Sequence, residues 1–403
     1  MPARSLTTTL APTLAAGALI ALLAGCVPNA PATGSAALDV AIDDDSCEVS
    51  DTSAESGTVT FSLTNDGTDV NEFEILADDR LRIVSERENL TPGQTIDHTV
   101  QLQPGTYYTA CKFQLVGAPI GLTEFTVTGE EVAVDAQDQE LVDTASANYV
   151  DYIQSQVGEL VPAVDALVEA YTAGDDETAR NLFASARVFY ERVEPTAEAF
   201  GDLDPKIDYR EVDAVAEGLD WTGFHRIEKD LWLPAEDDLN SDGTSAYLDW
   251  EPSSPEEREQ FGSRLVADVA ELQSLVTDPG FAVGLADISN GAIALLDEVA
   301  TGKISGEEDW WSHTDLMDFA ANVQGAKVAY GYVRDIAAGS DEQLVTDIDD
   351  RCEGLETLLA QYGSIEDGFT PYDEVTDEQR NELSDGVNAL AEPLSQLTQA
   401  VLG

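Results

Sequence analysis

The chain has 403 residues and carries 79 Asp and Glu against 19 Lys and Arg, a net charge of −60, while 43% of its residues are hydrophobic. That apolar share is enough to build cores, so the acidity belongs to a folded surface and not to a disordered chain. A surface this negative repels phosphate backbones and anionic headgroups, which argues against nucleic-acid binding and polybasic membrane docking and leaves cations as natural partners. An acid-rich surface kept soluble in salty surroundings would explain the same charge with no site at all. Three His (His98, His225, His313), two Met (Met1, Met317) and four Cys (Cys26, Cys47, Cys111, Cys352) make any site built from these residue types easy to enumerate.

In chain order, residues 1–25 read as a secretory signal: Arg4 supplies a positive start and Leu10 to Leu23 an apolar stretch. Leu23-Ala24-Gly25-Cys26 resembles a bacterial lipobox, which makes Cys26 the expected lipidation site. Residues 26–37, rich in Pro, Ala, Gly and Ser, read as a tether. The expected location is extracytoplasmic, anchored to the cell membrane by lipid. Residues 38–128 alternate with period two. Thr58 to Leu63, Asn71 to Leu76, Leu81 to Val84, Thr95 to Leu102, Thr106 to Cys111 and Thr123 to Thr128 are predicted strands, separated by turn signals such as Asn65-Asp66-Gly67 and Gln103-Pro104-Gly105. Six or seven short strands predict a β-sandwich.

After an acidic linker at 129–139 the period becomes helical and stays so to residue 403. Ser254-Pro255-Glu256-Glu257, Ser340-Asp341-Glu342-Gln343 and Thr376-Asp377-Glu378-Gln379 read as capping boxes. Leu265, Val269, Leu272 and Val276 form one buried stripe, widened by Leu275. About seven or eight helices are expected, too many for one four-helix bundle, so the predicted fold of this half is two all-α bundles sharing a long interface.

The densest chemistry is the run Trp221 to Trp232. On a helix His225 and Glu228 stand at i and i+3, so both leave one face and can hold one metal. The bare motif is weak, because an ordinary surface pair has the same spacing. Its context is more specific: Gly223 to Trp232 resembles the GxHxxE signature of imelysin-like proteins. Tyr190 to Pro195, Leu203 to Arg210 and Trp311 to Val323 resemble further blocks of that family, in order. The resemblance implies a pair of helical bundles with a metal-binding cleft at the HxxE. His313, Glu194 and Asp208 are candidates to complete a mixed nitrogen and oxygen shell, one that suits iron or zinc better than Cu(I). Alternatively His313 bonds backbone at a helix start, and Glu194 and Asp208 pair with Arg192 or Arg210. The family was first classed as peptidases, which makes a zinc metallopeptidase of the cell envelope the alternative function. The sequence has no HExxH and no defensible Ser/His/Asp or Cys/His spacing.

The sandwich segments Val70 to Leu76, Glu86 to Gly93 and Leu102 to Cys111 are similar to the cupredoxin-like domain of EfeO-type iron-uptake lipoproteins, whose domain order, cupredoxin then imelysin, is the order here. A type-1 copper site needs two His, a Cys and usually a Met, whereas this segment has only His98 and no Met. The resemblance instead implies a site at Cys47, Glu72 and Cys111, with copper favoured by thiolates and iron tolerated by the carboxylate. A Cys47–Cys111 disulfide is the other reading of the same thiols, natural in an oxidising compartment. Cys352, on a predicted helix, reads as a buried small hydrophobe. The function implied is a metal-binding component of an iron uptake system rather than an enzyme, with metal-assisted Fe(II) oxidation in the sandwich as a further role. Its implied partners are a membrane iron permease and a secreted haem peroxidase. A third reading is a module that holds an anionic polymer through bridging cations.

Overall fold

The computed structural model describes residues 37–402 apart from 77, 79, 81–82, 114–118, 130–135, 249 and 302. The predicted signal, the lipobox with Cys26, nearly all of the tether and the middle of the linker lie outside the described residues.

Nine strands come first: β1 (Leu38–Ile42), β2 (Cys47–Val49), β3 (Ser53–Glu55), β4 (Gly57–Asn65), β5 (Asn71–Leu76), β6 (Ile83–Leu90), β7 (Thr95–Leu102), β8 (Gly105–Phe113) and β9 (Ile120–Thr128). They form two sheets, ordered β2-β1-β4-β7 and β3-β9-β8-β5-β6. Alternation explains why β4 works: its odd-numbered residues, Gly57 to Asn65, are buried and the residues between them are partly exposed. Phe61, packed against Phe73 and Phe125, marks the centre of the core between the sheets. β5, by contrast, is buried at every position; it lies between β8 and β6 in its sheet, and β6 in turn packs on the helices. The short strands β2 and β3 were too brief to show a period in the sequence.

Helices fill the rest: α1 (Ala136–Ala173), α2 (Asp176–Glu191), α3 (Leu203–Ile207), α4 (Glu211–Glu217), α5 (Phe224–Leu231), α6 (Pro255–Val276), α7 (Leu285–Thr301), α8 (Asp315–Ser340), α9 (Glu342–Leu359), α10 (Asp377–Leu394) and α11 (Leu397–Leu402). Eleven among the described residues exceed the expected seven or eight, since α3, α4, α5 and α11 are each too short to display an amphipathic period. Helix α1 packs on α2 and α6, α7 and α9 pack on α10, and α8 touches members of both groups. One continuous apolar core runs through them, including Leu265, Val269, Leu272 and Val276, with Leu275 packed at its edge.

The capping boxes at Ser254 and Thr376 are formed. The one expected at Ser340 is not: Ser340 ends α8, and Asp341 caps α9 by accepting from the backbone N–H groups of Gln343 and Leu344. A carboxylate at Asp341 competes for that cap at least as well as a serine hydroxyl. The sandwich docks on the helices through β6 and β7 against α7, where Asn290 donates to Ser85 Oγ and to the carbonyl of Thr99.

Candidate metal centre

The start of α5 is placed by a glycine. Gly223 has φ +86°, and a Cβ there would stand 2.2 Å from the carbonyl oxygen of Ile207, so only glycine lets α5 begin against the end of α3. That contact carries Asp208, the residue after α3, to His225, the second residue of α5. His225 is 2% exposed. Its Nδ1 lies 2.9 Å from Glu228 Oε2, the i, i+3 geometry the spacing predicts. Glu228 Oε1 accepts from the backbone N–H groups of Trp311 and Ser312 and from Ser312 Oγ, which fixes the carboxylate across 83 residues of chain.

The other side of the imidazole carries the signal for a ligand. His225 Nε2 is buried with no hydrogen-bond partner, facing Glu308 Oε1 at 3.5 Å and Asp208 Oδ1 at 3.7 Å. Asp208, His225 and Glu308 present ligand atoms within 4.8 Å of one another, and so do His225, Glu228 and Asp309. Asp309 Oδ1 and Asp318 Oδ1, also buried, lack hydrogen-bond partners too. Unpaired buried polar atoms of this kind are costly unless a partner completes them. One imidazole among carboxylates is a hard-to-borderline donor set that fits iron or zinc and not Cu(I).

Two cations already sit among these acids. Arg187, fully buried on α2, reaches Glu191 at 2.6 Å, Asp318 at 2.9 Å, Glu308 at 3.2 Å, Asp309 at 3.5 Å, and Asp208. Lys303 pairs with Glu194, Glu191 and Glu308. Burial and the Arg187 charge oppose protonation of His225, but Glu228 and Glu308 outweigh both and raise its pKa to about 9. Burial acts against ionised Glu308, yet Lys303, His225 and Arg210 hold it well below the usual carboxylate range. Burial prevails at Asp309 and Asp318, which are pushed well up despite Arg187, and it lifts Asp315 to about 7. Without further positive charge the cluster therefore keeps some of its acids protonated. A narrow cleft lined by Trp221, Trp310, Trp311 and Arg210 opens onto His225 and Glu228.

The other expected site residues fall differently. Asp208 meets His225, but its partner is Arg187 and not Arg210, which pairs with Asp213 and Glu307. Glu194 lies one layer out, accepting from Lys303 Nζ and Asn322 Nδ2, while Arg192 bonds Gln324 instead. His313 is in none of the candidate ligand groups among the described residues: it sits in a left-handed turn at φ +58°, its N–H donating to the Asp309 carbonyl and its carbonyl accepting from the Tyr372 N–H. In the sandwich, Cys47 and Cys111 form a disulfide that ties β2 of one sheet to β8 of the other, so both sulfurs are engaged with each other and not free as thiolates. Glu72 instead groups with Glu74 and Glu86. His98 bonds Ser85 Oγ at 2.9 Å, and Cys352 is a buried free thiol raised by burial to about 11.

Glu308, Asp309, Asp318 and Arg187 escaped the sequence reading. Glu308 and Asp309 lie in Glu307-Glu308-Asp309-Trp310-Trp311, outside any helical period. Arg187 had a usable signal: with Phe183 and Tyr190 it stands at i, i+4 and i+7 on one apolar face, an odd place for a charge unless that charge is buried and paired.

An imelysin family model (Peptidase_M75) matches residues 145–397, and a cupredoxin-like domain model matches residues 15–120. Fold and sequence thus define a two-domain protein, a cupredoxin-like sandwich followed by an imelysin helical domain. "Iron uptake system component EfeO" of Escherichia coli strain K12 and its counterpart from Shigella flexneri are each 37% identical to this chain over 368 residues, covering 90% of it and 91% of theirs. The chain belongs to the EfeO family. A solved structure of an iron-regulated protein A precursor from Parabacteroides distasonis aligns at 16% identity with a TM-score of 0.47 over 67% of this chain and 96% of that one.

Proposed function

We propose that this protein captures iron outside the cytoplasm as a component of an iron uptake system, binding the ion in the α5 cleft and passing it to a membrane permease. The carrying observation is the buried, unpartnered Nε2 of His225 facing carboxylates from separate elements, in a chain 37% identical to proteins named for iron uptake. His225, Glu228, Asp208, Glu308 and Asp309 would supply the donors. Glu194, paired with Lys303, and His313, which is in neither candidate ligand group around His225, would act on neighbours of the ligands. A lipid anchor at Cys26 would keep the protein at the cell surface or the periplasmic side of the membrane, supported by Leu23-Ala24-Gly25-Cys26; no helix among the described residues is long and apolar enough to cross a membrane. A haem peroxidase of the same system would supply oxidation of Fe(II). In the sandwich, Glu72, Glu74 and Glu86 offer oxygen donors suited to iron, and copper bound through Cys47 and Cys111 would first require their reduction.

The test is iron binding by the signal-free protein at high ionic strength, which screens loose collection of cations by the acidic surface. Salt-resistant binding that disappears in His225→Ala/Glu228→Ala supports the cleft; unchanged stoichiometry and affinity would remove it. The peptidase name of the matched family supplies the second reading, with zinc in the same place. Against it, Glu228 is held at both oxygens by His225, Trp311 and Ser312, which leaves it poorly placed to serve as base to a metal-bound water. Zinc-dependent, chelator-sensitive cleavage of an unfolded substrate would restore that reading.

A further inference from the structure

Arg187 is not explained by the ligand set. Its guanidinium is fully buried and touches five carboxylates, three of which (Asp208, Glu308, Asp309) also belong to the groups around His225. It rests against the rings of Phe183 and Phe224 on its other side, so it has no route to water. A lone charge in such a place is costly, and it is tolerated because the acids around it need a cation. Those acids are still short of partners: Asp309 Oδ1 and Asp318 Oδ1 remain without hydrogen bonds beside it.

We infer that Arg187 is a resident counter-cation, a positioning residue that holds Asp208, Glu308 and Asp309 in ligand geometry before the metal arrives and then weakens the bound ion by its own charge. This rests on the reading of the cleft as a metal site. Both effects follow from sharing. A carboxylate that bonds the guanidinium cannot swing away in the metal-free protein, since Arg187 fixes several at once through a rigid fork. A metal ion bound to the same carboxylates lies close to a like charge at low effective dielectric, where repulsion is strong. Capture and release are thereby balanced in one residue, which suits a protein that must give up its cargo.

The test measures Zn(II), and Fe(II) under anaerobic conditions, by competition with a chelator of known affinity at high ionic strength. It compares wild type, Arg187→Met, Arg187→Lys and Arg187→Met/Asp318→Asn. The double variant also removes the carboxyl to which Arg187 Nε donates and keeps the comparison available if Arg187→Met alone does not fold without metal. We expect Arg187→Met and the double variant to bind about tenfold tighter or more, and Arg187→Lys, which keeps the charge, to bind near the wild-type level. We also expect the metal-free melting temperature of Arg187→Met to fall and its rise on adding Zn(II) to exceed that of wild type. Weaker or unchanged affinity in both Met variants would overturn the proposal. Salt-resistant binding that survives His225→Ala/Glu228→Ala would instead overturn the cleft reading itself, and so tells the two failures apart.

Discussion

Two histidines are buried to nearly the same degree and shifted in opposite directions. His98, in the sandwich, is driven to about 3 by burial with the Arg87 charge adding to it, and it is satisfied by Ser85. His225, in the helical half, is driven to about 9 because carboxylates outweigh the same burial. Burial alone therefore says nothing about function; what surrounds the ring does. In the sandwich the Cys47–Cys111 disulfide engages both sulfurs and Ser85 engages His98, so its thiols and its imidazole are already partnered. The helical half leaves an imidazole nitrogen of His225 and carboxylate oxygens of Asp309, Asp315 and Asp318 without hydrogen bonds at its centre.

The contrast can be broken from either side. The largest effect is expected from Cys47→Ala/Cys111→Ala. The bond closes 64 residues of sequence separation, and its loss should cost about 4 kcal/mol, read as a lower urea midpoint. Salt-resistant iron binding by the helical half should be unchanged; if it disappears, the two halves are not functionally separable.

Acid comes next. His98 has a folded pKa below its unfolded value, so the unfolded chain binds the extra proton. Stability should be intact above about 6.5 and fall as pH drops toward 3, by up to about 1.4 kcal/mol per pH unit. Substitution of His98 by Gln should flatten that slope in urea titrations. His225 works with the opposite sign: its contribution is present below about 6.5 and is lost as pH rises through about 9. An alkaline loss of stability that persists in His225→Gln would assign it elsewhere.

Gly223→Ala should cost about 1–3 kcal/mol, because alanine must adopt φ +86° and displace the Ile207 carbonyl. It should also weaken iron binding, since α5 can no longer bring His225 to Asp208. Wild-type affinity in a folded Gly223→Ala protein would show that this junction does not set the site. The smallest effect is expected from Ser254→Ala, which breaks a capping box whose side chains touch none of the candidate ligands: about 1 kcal/mol by denaturation, with no change in metal binding.

Much of the fold was legible because the sequence changes period once, from two in 38–128 to that of helices afterward, and because strands such as β4 and helices such as α6 are long enough to show it. Most short elements were not legible, and they help to build the site: α3, α4 and the segment 306–314 owe their positions to tertiary contacts. His225 and Glu228 could be read because one helix carries both. Glu308 and Asp309 could not, since their approach depends on Glu228 accepting backbone bonds from Trp311 and Ser312. His313 lies near the right block in sequence, two residues from Asp315, but its left-handed backbone could not be read from the sequence.

The most direct test of the central claim is the position of the iron itself. Crystals of the signal-free protein soaked with Fe(II) under anaerobic conditions should give an anomalous peak at the iron edge, in coordination range of His225 and of at least two among Glu228, Asp208, Glu308 and Asp309. A well-occupied peak elsewhere, with His225 Nε2 still unpartnered, would contradict the account.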